Sequence, residues 1–205
     1  MNRSVAIILG AGKPLGGHTP SGRRKAGQDM NVLEWQAAAL RPLEASIELV
    51  AGYGAGSFDR LDNEFRIHLN PDWEVTGAAH SLFCCDLDPE KHHLIAYADI
   101  LFENHSALAL AGSDDAISVA IDRSRSARRR GSREIVELDE EGAPRRFTTE
   151  AEAADAPFAD LVGLIRVPAA WVPALRRLRE ERPLALRRGH LGALLQALLE
   201  RGLPL

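Results

Sequence analysis

An α/β fold, with a mostly parallel sheet covered on both faces, is what this chain predicts, and three observations carry the prediction. Short apolar, β-branched runs alternate with stretches of helical spacing along most of the 205 residues, the pattern of parallel strands joined by crossover helices. The first run, Val5–Leu9, is apolar without interruption, as a strand buried between two layers of helix must be. It passes directly into Gly10-Ala11-Gly12, where the lack of side chains lets backbone N–H groups approach an anion closely.

The elements follow in order. Strands are expected at Val5–Leu9, Ile47–Ala51, Phe65–Leu69, Leu94–Ala98, Ile117–Ile121 and Leu161–Val167. Between them, Leu33–Leu43, Gly77–Asp86 and Asn104–Ala111 have the spacing of amphipathic helices. Arg133–Leu138 and Pro144–Thr148 flank the turn Asp139-Glu140-Glu141-Gly142 and read as a β-hairpin. Ala151–Pro157 reads as a small, acidic loop, and the chain closes on helices at Ala169–Arg179 and Leu186–Arg201. The expected architecture is therefore Rossmann-like: three-layer α/β/α, a mostly parallel mixed sheet and a projecting β-hairpin. With no internal repeat and no linker, residues 1–205 read as a single domain.

Composition excludes several partners. A hydrophobic share of 45% and a charged share of 26% suit one well-cored globule. A net charge of −4 gives no general basic field for duplex nucleic acid. No apolar run approaches the roughly 20 residues that span a bilayer, and Val5–Leu9 is too short for a signal-peptide core. The two cysteines, Cys84 and Cys85, are adjacent and ill-placed to pair with each other, which suits a reducing, cytoplasmic setting.

The glycine loop matches neither common nucleotide signature. Gly10-x-Gly12 is followed by Gly16 and Gly17, one residue late for a dinucleotide fingerprint, and the second strand ends Ala51-Gly52-Tyr53-Gly54 without a ribose-binding acid. Gly12-Lys13 is followed by Pro14, which breaks a Walker loop.

Other residues carry candidate chemistry. Asp99 ends a strand, where parallel sheets place ligands, and reads as a Mg²⁺ ligand or as a helix cap. Thr76 and Ser81 sit at the start of a helix and could contact a nucleoside; Thr76 is equally a good N-cap. Asp122-Arg123 follow another strand end, and arginines 123, 125, 128, 129, 130 and 133 form a basic loop suited to an anionic acceptor or to solvation. His80 and Cys84 are four apart, a spacing compatible with a metal, but no second pair completes a site. A buried cysteine beside a loop histidine is the simpler reading.

Taken in order, these features resemble the nucleotidyltransferases of the nucleotide-diphospho-sugar transferase fold. Ile-Ile-Leu-Gly-Ala-Gly at 7–12, Thr19-Pro20, Lys25 and Leu33-Glu34-Trp35-Gln36 are similar to the family's strand, Gly-rich signature and following helix. Asn70-Pro71-Asp72-Trp73 through Ser81-Leu82 resembles the branch that activates choline phosphate and phosphonates with CTP. Tyr97-Ala98-Asp99-Ile100-Leu101-Phe102 resembles the element whose aspartate holds Mg²⁺. Two departures stand out. Arg24-Lys25 replaces the family's Pro-Lys, and the chain stops at Leu203-Pro204-Leu205, before the family's C-terminal strand, Trp and second metal-binding Asp.

The resemblance implies a Mg²⁺-dependent transfer of a nucleotidyl group, CMP from CTP being favoured, to a small phosphorylated or phosphonated alcohol, with release of pyrophosphate. It implies catalytic roles for Lys25 and Asp99, with Asp99 on the metal. Leu9, Gly10, Ala11, Gly12, Thr76 and Ser81 would bind the nucleotide. Asp122 and Arg123 would face the acceptor, Asp122 partly replacing the missing carboxylate. Among the cations Lys13, Arg23, Arg24 and Lys25, the last best matches the family lysine. No nucleic acid or membrane partner is implied, and a homodimer is compatible with this reading. The alternatives are a non-catalytic nucleotide-binding homologue and a sugar-1-phosphate or molybdopterin-type nucleotidyltransferase using another base.

Overall fold

The computed structural model describes residues 4–27, 29–59, 61, 64–113, 115–124, 134–149, 157–181 and 183–205. Arginines 125, 128, 129, 130 and 133, and most of the acidic loop 151–157, fall outside them.

The described residues build an eight-stranded sheet of order β3-β2-β1-β4-β8-β6-β7, with β5 paired to β8 off this path. The strands are β1 Ser4–Gly10, β2 Ser46–Ala51, β3 Arg66–Leu69, β4 His92–Tyr97, β5 Ser118–Asp122, β6 Ile135–Leu138, β7 Pro144–Thr148 and β8 Phe158–Val167. Their centres match the runs expected from sequence. β1 pairs in parallel with β2 and β4, and β2 with β3, so the first four strands form the parallel core. Strand β8 returns antiparallel to β4, β5 and β6. The expected hairpin is β6–β7, and it lengthens the sheet through the β6–β8 ladder.

Helices cover both faces. One core layer gathers Ile7, Leu9, Val50, Ile95 and Ile165 with α2 (Ala78–Leu82), α4 (Val172–Glu181), α5 (Pro183–Arg187) and α6 (Leu191–Leu199). The other gathers Ala6, Ile8, Leu49, Ala96 and Leu164 with α1 (Val32–Leu40) and α3 (Asn104–Ala111). Alternate residues of β1 serve opposite layers, as the strand's two-residue period requires.

Two helices differ from expectation. The helix expected at Gly77–Asp86 is one short segment, α2, followed by a turn through Phe83, Cys84 and Cys85. The terminal helix expected at Leu186–Arg201 breaks at Arg188-Gly189-His190 into α5 and α6. Tertiary contacts explain the break: the Gly77 N–H donates to the Arg187 carbonyl (2.8 Å) and the Ala79 N–H to that of Gly189 (3.0 Å). Those carbonyls thus serve the exposed start of α2 instead of continuing a helix.

Helix α1 begins on a capping box. Asn31 Oδ1 accepts from the Glu34 N–H (3.0 Å), and a Glu34 carboxylate oxygen accepts from the Asn31 N–H (2.8 Å).

Candidate active site

In an open parallel sheet the ligand crevice lies beyond the carboxyl ends of strands that run out in opposite directions from a shared neighbour. Here β1 is that neighbour, with β2 on one side and β4 on the other. A cleft of about 260 Å³ opens at this point, lined by the β1 end and loop from Leu9 to Leu15, by Ser21, by Trp73, Thr76, Gly77, Ala78 and Ser81, and by Tyr97, Ala98, Asp99 and His190.

The glycine loop is braced from outside. Tyr53 donates its N–H to the Ala11 carbonyl (2.8 Å) and its hydroxyl to the His18 carbonyl (3.2 Å). Its ring meets Trp73 edge-on at 5.3 Å, and the Lys13 ammonium lies 5.6 Å from its centroid. Arg24 Nη2 donates to the Leu15 carbonyl (3.2 Å). Only glycine fits at 52: a Cβ there would stand 2.7 Å from both the Ala11 oxygen and the Trp73 Cβ.

The end of β4, next to that of β1, carries Asp99. Helix α1 fixes its turn with two side chains: Gln36 Nε2 donates to the carbonyls of Tyr97 (2.8 Å) and Ile100 (2.9 Å), and Trp35 Nε1 to that of Phe102 (2.8 Å). Gln36 is fully buried. The Leu-Glu-Trp-Gln segment picked out in the sequence is therefore a clamp on the metal-binding candidate. Asp99 itself is exposed, with no hydrogen bond or ion pair among the described residues.

A buried asparagine shapes the third wall. Asn70 Nδ2 donates to Thr76 Oγ1 (2.9 Å) and Ser81 Oγ (3.0 Å), while its Oδ1 accepts from the Asp72 N–H (3.0 Å). Thr76 Oγ1 also donates to the Asp72 carbonyl (2.8 Å), and Gly77, not Thr76, occupies the N-cap of α2. Ser81 is buried and its hydroxyl donates to the Gly77 carbonyl (3.2 Å). Thr76 and Ser81 line the cleft, yet both hydroxyls are engaged in building it.

The floor joins to the second half of the chain through Tyr97. Its hydroxyl donates to Glu134 Oε2 (2.6 Å) and accepts from the Leu191 N–H (3.0 Å), while Glu134 Oε1 accepts from the Gly192 N–H (2.5 Å). A carboxylate at the start of α6 satisfies N–H groups that the helix leaves open. Burial, with the Glu134 carboxylate adding to it, pushes the Tyr97 hydroxyl up, so it remains protonated. Neither Glu134 nor Gln36 was singled out in the sequence as a site residue, because their partners are remote in the chain.

The structure gathers Leu9, Gly10, Ala11, Gly12, Thr76, Ser81 and Asp99 around one cleft. It does not bring Lys25 there. That residue is exposed and bridges to Asn31 in the turn before α1, and Lys13 is the lysine that lines the cleft. Asp122, the last residue of β5, and Arg123, which follows it, are exposed and do not line the cleft either. Asp122 Oδ1 accepts from the N–H (2.7 Å) and hydroxyl (2.6 Å) of Ser124, which hold its carboxyl below the usual range.

No family model matches the sequence, and no curated protein matches it. Solved structures do match. The inositol-1-phosphate CTP transferase from T. maritima superposes with a TM-score of 0.71 at 18% identity, over 98% of this chain and 83% of that one. The CTP:phosphocholine cytidylyltransferase from Streptococcus pneumoniae gives 0.70 at 14% identity, over 97% and 86%. A structure described as a glucose-1-phosphate thymidylyltransferase from Bacillus anthracis gives 0.72 at 14%, over 98% and 84%. The chain has the nucleotidyltransferase fold. Within the nucleotidyltransferase fold, the observed cleft occupies the sheet's topological switch point, with Asp99 and the glycine loop both lining it. Among the described residues no helix is long and apolar enough to cross a membrane.

Proposed function

We propose that this chain is a Mg²⁺-dependent nucleotidyltransferase that moves CMP from CTP to a small phosphorylated or phosphonated alcohol. The observation that carries the reading is the meeting of a strand-end carboxylate, Asp99, unpaired among the described residues, with the Gly10–Gly12 backbone in one cleft. In the reaction an acceptor phosphate or phosphonate oxygen attacks the α-phosphorus of the nucleotide. The bond from that phosphorus to the β-phosphate bridge breaks, and pyrophosphate leaves with the electron pair.

Backbone N–H groups of the glycine loop would hold the triphosphate, and Lys13 would face charge developing on the leaving pyrophosphate. A carboxylate in the same cleft as a backbone able to hold phosphate fits Mg²⁺, which takes one or two carboxylates and completes its shell with phosphate oxygens and water. Asp99 would hold that ion, whose bound charge offsets the negative charge of the triphosphate. The wall built on Asn70 brings Thr76 and Trp73 to the cleft, where the nucleoside would lie. Preference for CTP draws on two of the structural neighbours, an inositol-1-phosphate CTP transferase and a CTP:phosphocholine cytidylyltransferase.

The position of Lys25 outside the cleft favours a second reading, a nucleotide-binding protein without turnover. Pyrophosphate release separates the two, measured with each of the four NTPs, Mg²⁺, and choline phosphate, 2-hydroxyethylphosphonate, 2-aminoethylphosphonate, inositol 1-phosphate or sugar 1-phosphates. Release with CTP and one small phosphate or phosphonate is the expected result. Silence across the panel, with CTP still raising the melting temperature, establishes the second reading instead.

A further inference from the structure

Glu48 interrupts the apolar run of β2, and the β1–β2 register sets it beside Ile7, on the face of the sheet that carries the Ile7 and Val50 core layer. It is only 7% exposed. A buried carboxylate is costly unless something answers its charge, and lysine and arginine do little here: the Arg66 guanidinium stands 3.8 Å away and lies mostly in water.

Two other side chains turn toward the carboxylate. His68, from β3, places Nε2 2.8 Å from Glu48 Oε2. Cys85, from the turn after α2, is 5% exposed. One donor atom from each of the three residues lies within 4.8 Å of the other two. Although Nε2 and Oε2 are at ion-pair distance, neither has a hydrogen-bond partner of acceptable direction among the described residues. The two atoms converge on shared space without an N–H pointing from one to the other, as ligands of a common centre do.

We propose that Glu48, His68 and Cys85 bind a zinc-class divalent cation at a site separate from the nucleotide cleft. The donor set is one oxygen, one nitrogen and one sulfur, the mixture that zinc accepts and that magnesium, a hard oxygen-seeking ion, does not. Carboxylate and thiolate together carry two negative charges, which a divalent cation balances while the imidazole binds neutral. Water reaching the site from the side of His68, the most exposed of the three, would supply the remaining ligand. None of the three residues lines the cleft, so this ion and the one assigned to Asp99 do not compete.

The site gives the adjacent wall a staple. His68 lies two residues before Asn70, whose side chain organises the loop to Ser81, and Cys85 lies three residues beyond the end of α2. One ion would tie β2, β3 and the turn after α2 together, holding both ends of the segment that forms a side of the cleft. The two cysteines thereby part company: Cys84 directs its Sγ to the His80 carbonyl (3.7 Å) and takes no share in the cluster.

The test is a cobalt titration of the chelator-stripped full chain, with Co²⁺ alone as probe. One equivalent is expected to bind with a thiolate-to-cobalt charge-transfer band, and added Zn²⁺ should bleach it and raise the melting temperature. Cys84→Ser should keep the band, Cys85→Ser should lose it, and His68→Asn should weaken cobalt binding by about 10-fold or more. Absence of the band from the native chain in cobalt excess overturns the proposal, as does its survival in Cys85→Ser. The native and Cys84→Ser measurements decide the matter even where Cys85→Ser does not fold, and neither depends on any nucleotidyl transfer.

Discussion

The ring of Tyr97 occupies the space that any side chain at position 163 would need. Gly163 sits in β8 at φ +87°, and a Cβ there would fall against the ring, 2.8 Å from Cε2 and closer still to Cδ2. At this point β8 exchanges one partner for another, its later half pairing with β4 and its earlier half with β6. Gly163→Ala combines a left-handed backbone with a steric clash in packed surroundings. We expect a loss of about 3 kcal/mol, read as a lower urea midpoint; a change within error would show that Tyr97 can move aside freely.

Gln36 is expected to act on catalysis by position. Gln36→Met keeps the volume but leaves the Tyr97 and Ile100 carbonyls without their donor. Stability should fall by about 2 kcal/mol, and kcat/KM should fall roughly 10-fold as the Asp99 turn drifts. Partial restoration by Gln36→Glu where that side chain is protonated, and so supplies one of the two donors, would set a positional role apart from a general loss of packing.

His93 gives a pH dependence of known sign. It is 1% exposed, and burial holds its ring down to about 4 from 6.5, with the Lys91 carbonyl and Asp88 opposing the shift. Unfolded, it takes up a proton as the pH falls through its ordinary value; folded, it resists until about 4. Its contribution is therefore complete above pH 6.5 and is lost as the pH falls toward 4. The loss amounts to about 3 kcal/mol across that window. Urea midpoints at a series of pH values should show a steeper acid decline for the native chain than for His93→Leu, and parallel curves would remove His93 as the cause.

Lys13 and Lys25 can be told apart by single substitutions. Lys13→Ala should cost about 100-fold in kcat/KM and Lys25→Ala less than about 10-fold. Equal losses would mean that the 13–25 loop closes over bound nucleotide and carries Lys25 inward.

Asp99→Asn should reduce Mg²⁺-dependent turnover by about 1000-fold or more and leave the melting temperature unchanged, because Asp99 is exposed and unpaired. Undiminished turnover would take Asp99 out of the site.

Strands β1, β2 and β4 were legible because each is a short, mostly apolar run closed by turn residues, and a buried parallel strand needs little else. Glycine loop and Asp99 followed from where those strands end. What the chain did not disclose locally depends on partners far away. The cation that reaches the cleft is decided by Tyr53, Trp73 and Arg24, which set the path of the loop. The break at Arg188–His190 answers to the start of α2, and helical periodicity carries no sign of it. The Glu48, His68 and Cys85 cluster spans two strands and a turn, so no spacing rule could have joined them.

The bond from Gly77 to Arg187 also sets an order of events during synthesis. Three sides of the cleft are encoded in the first hundred residues, but the loop that fastens α2, and the Leu191 and Gly192 amides that receive Tyr97 and Glu134, come from the last twenty. Contacts so distant in sequence form slowly and late. A ribosome-bound chain that has released its parallel strands would therefore carry a glycine loop and an aspartate with no finished pocket between them. On the proposed function, nucleotide affinity would then arise only once α6 docks.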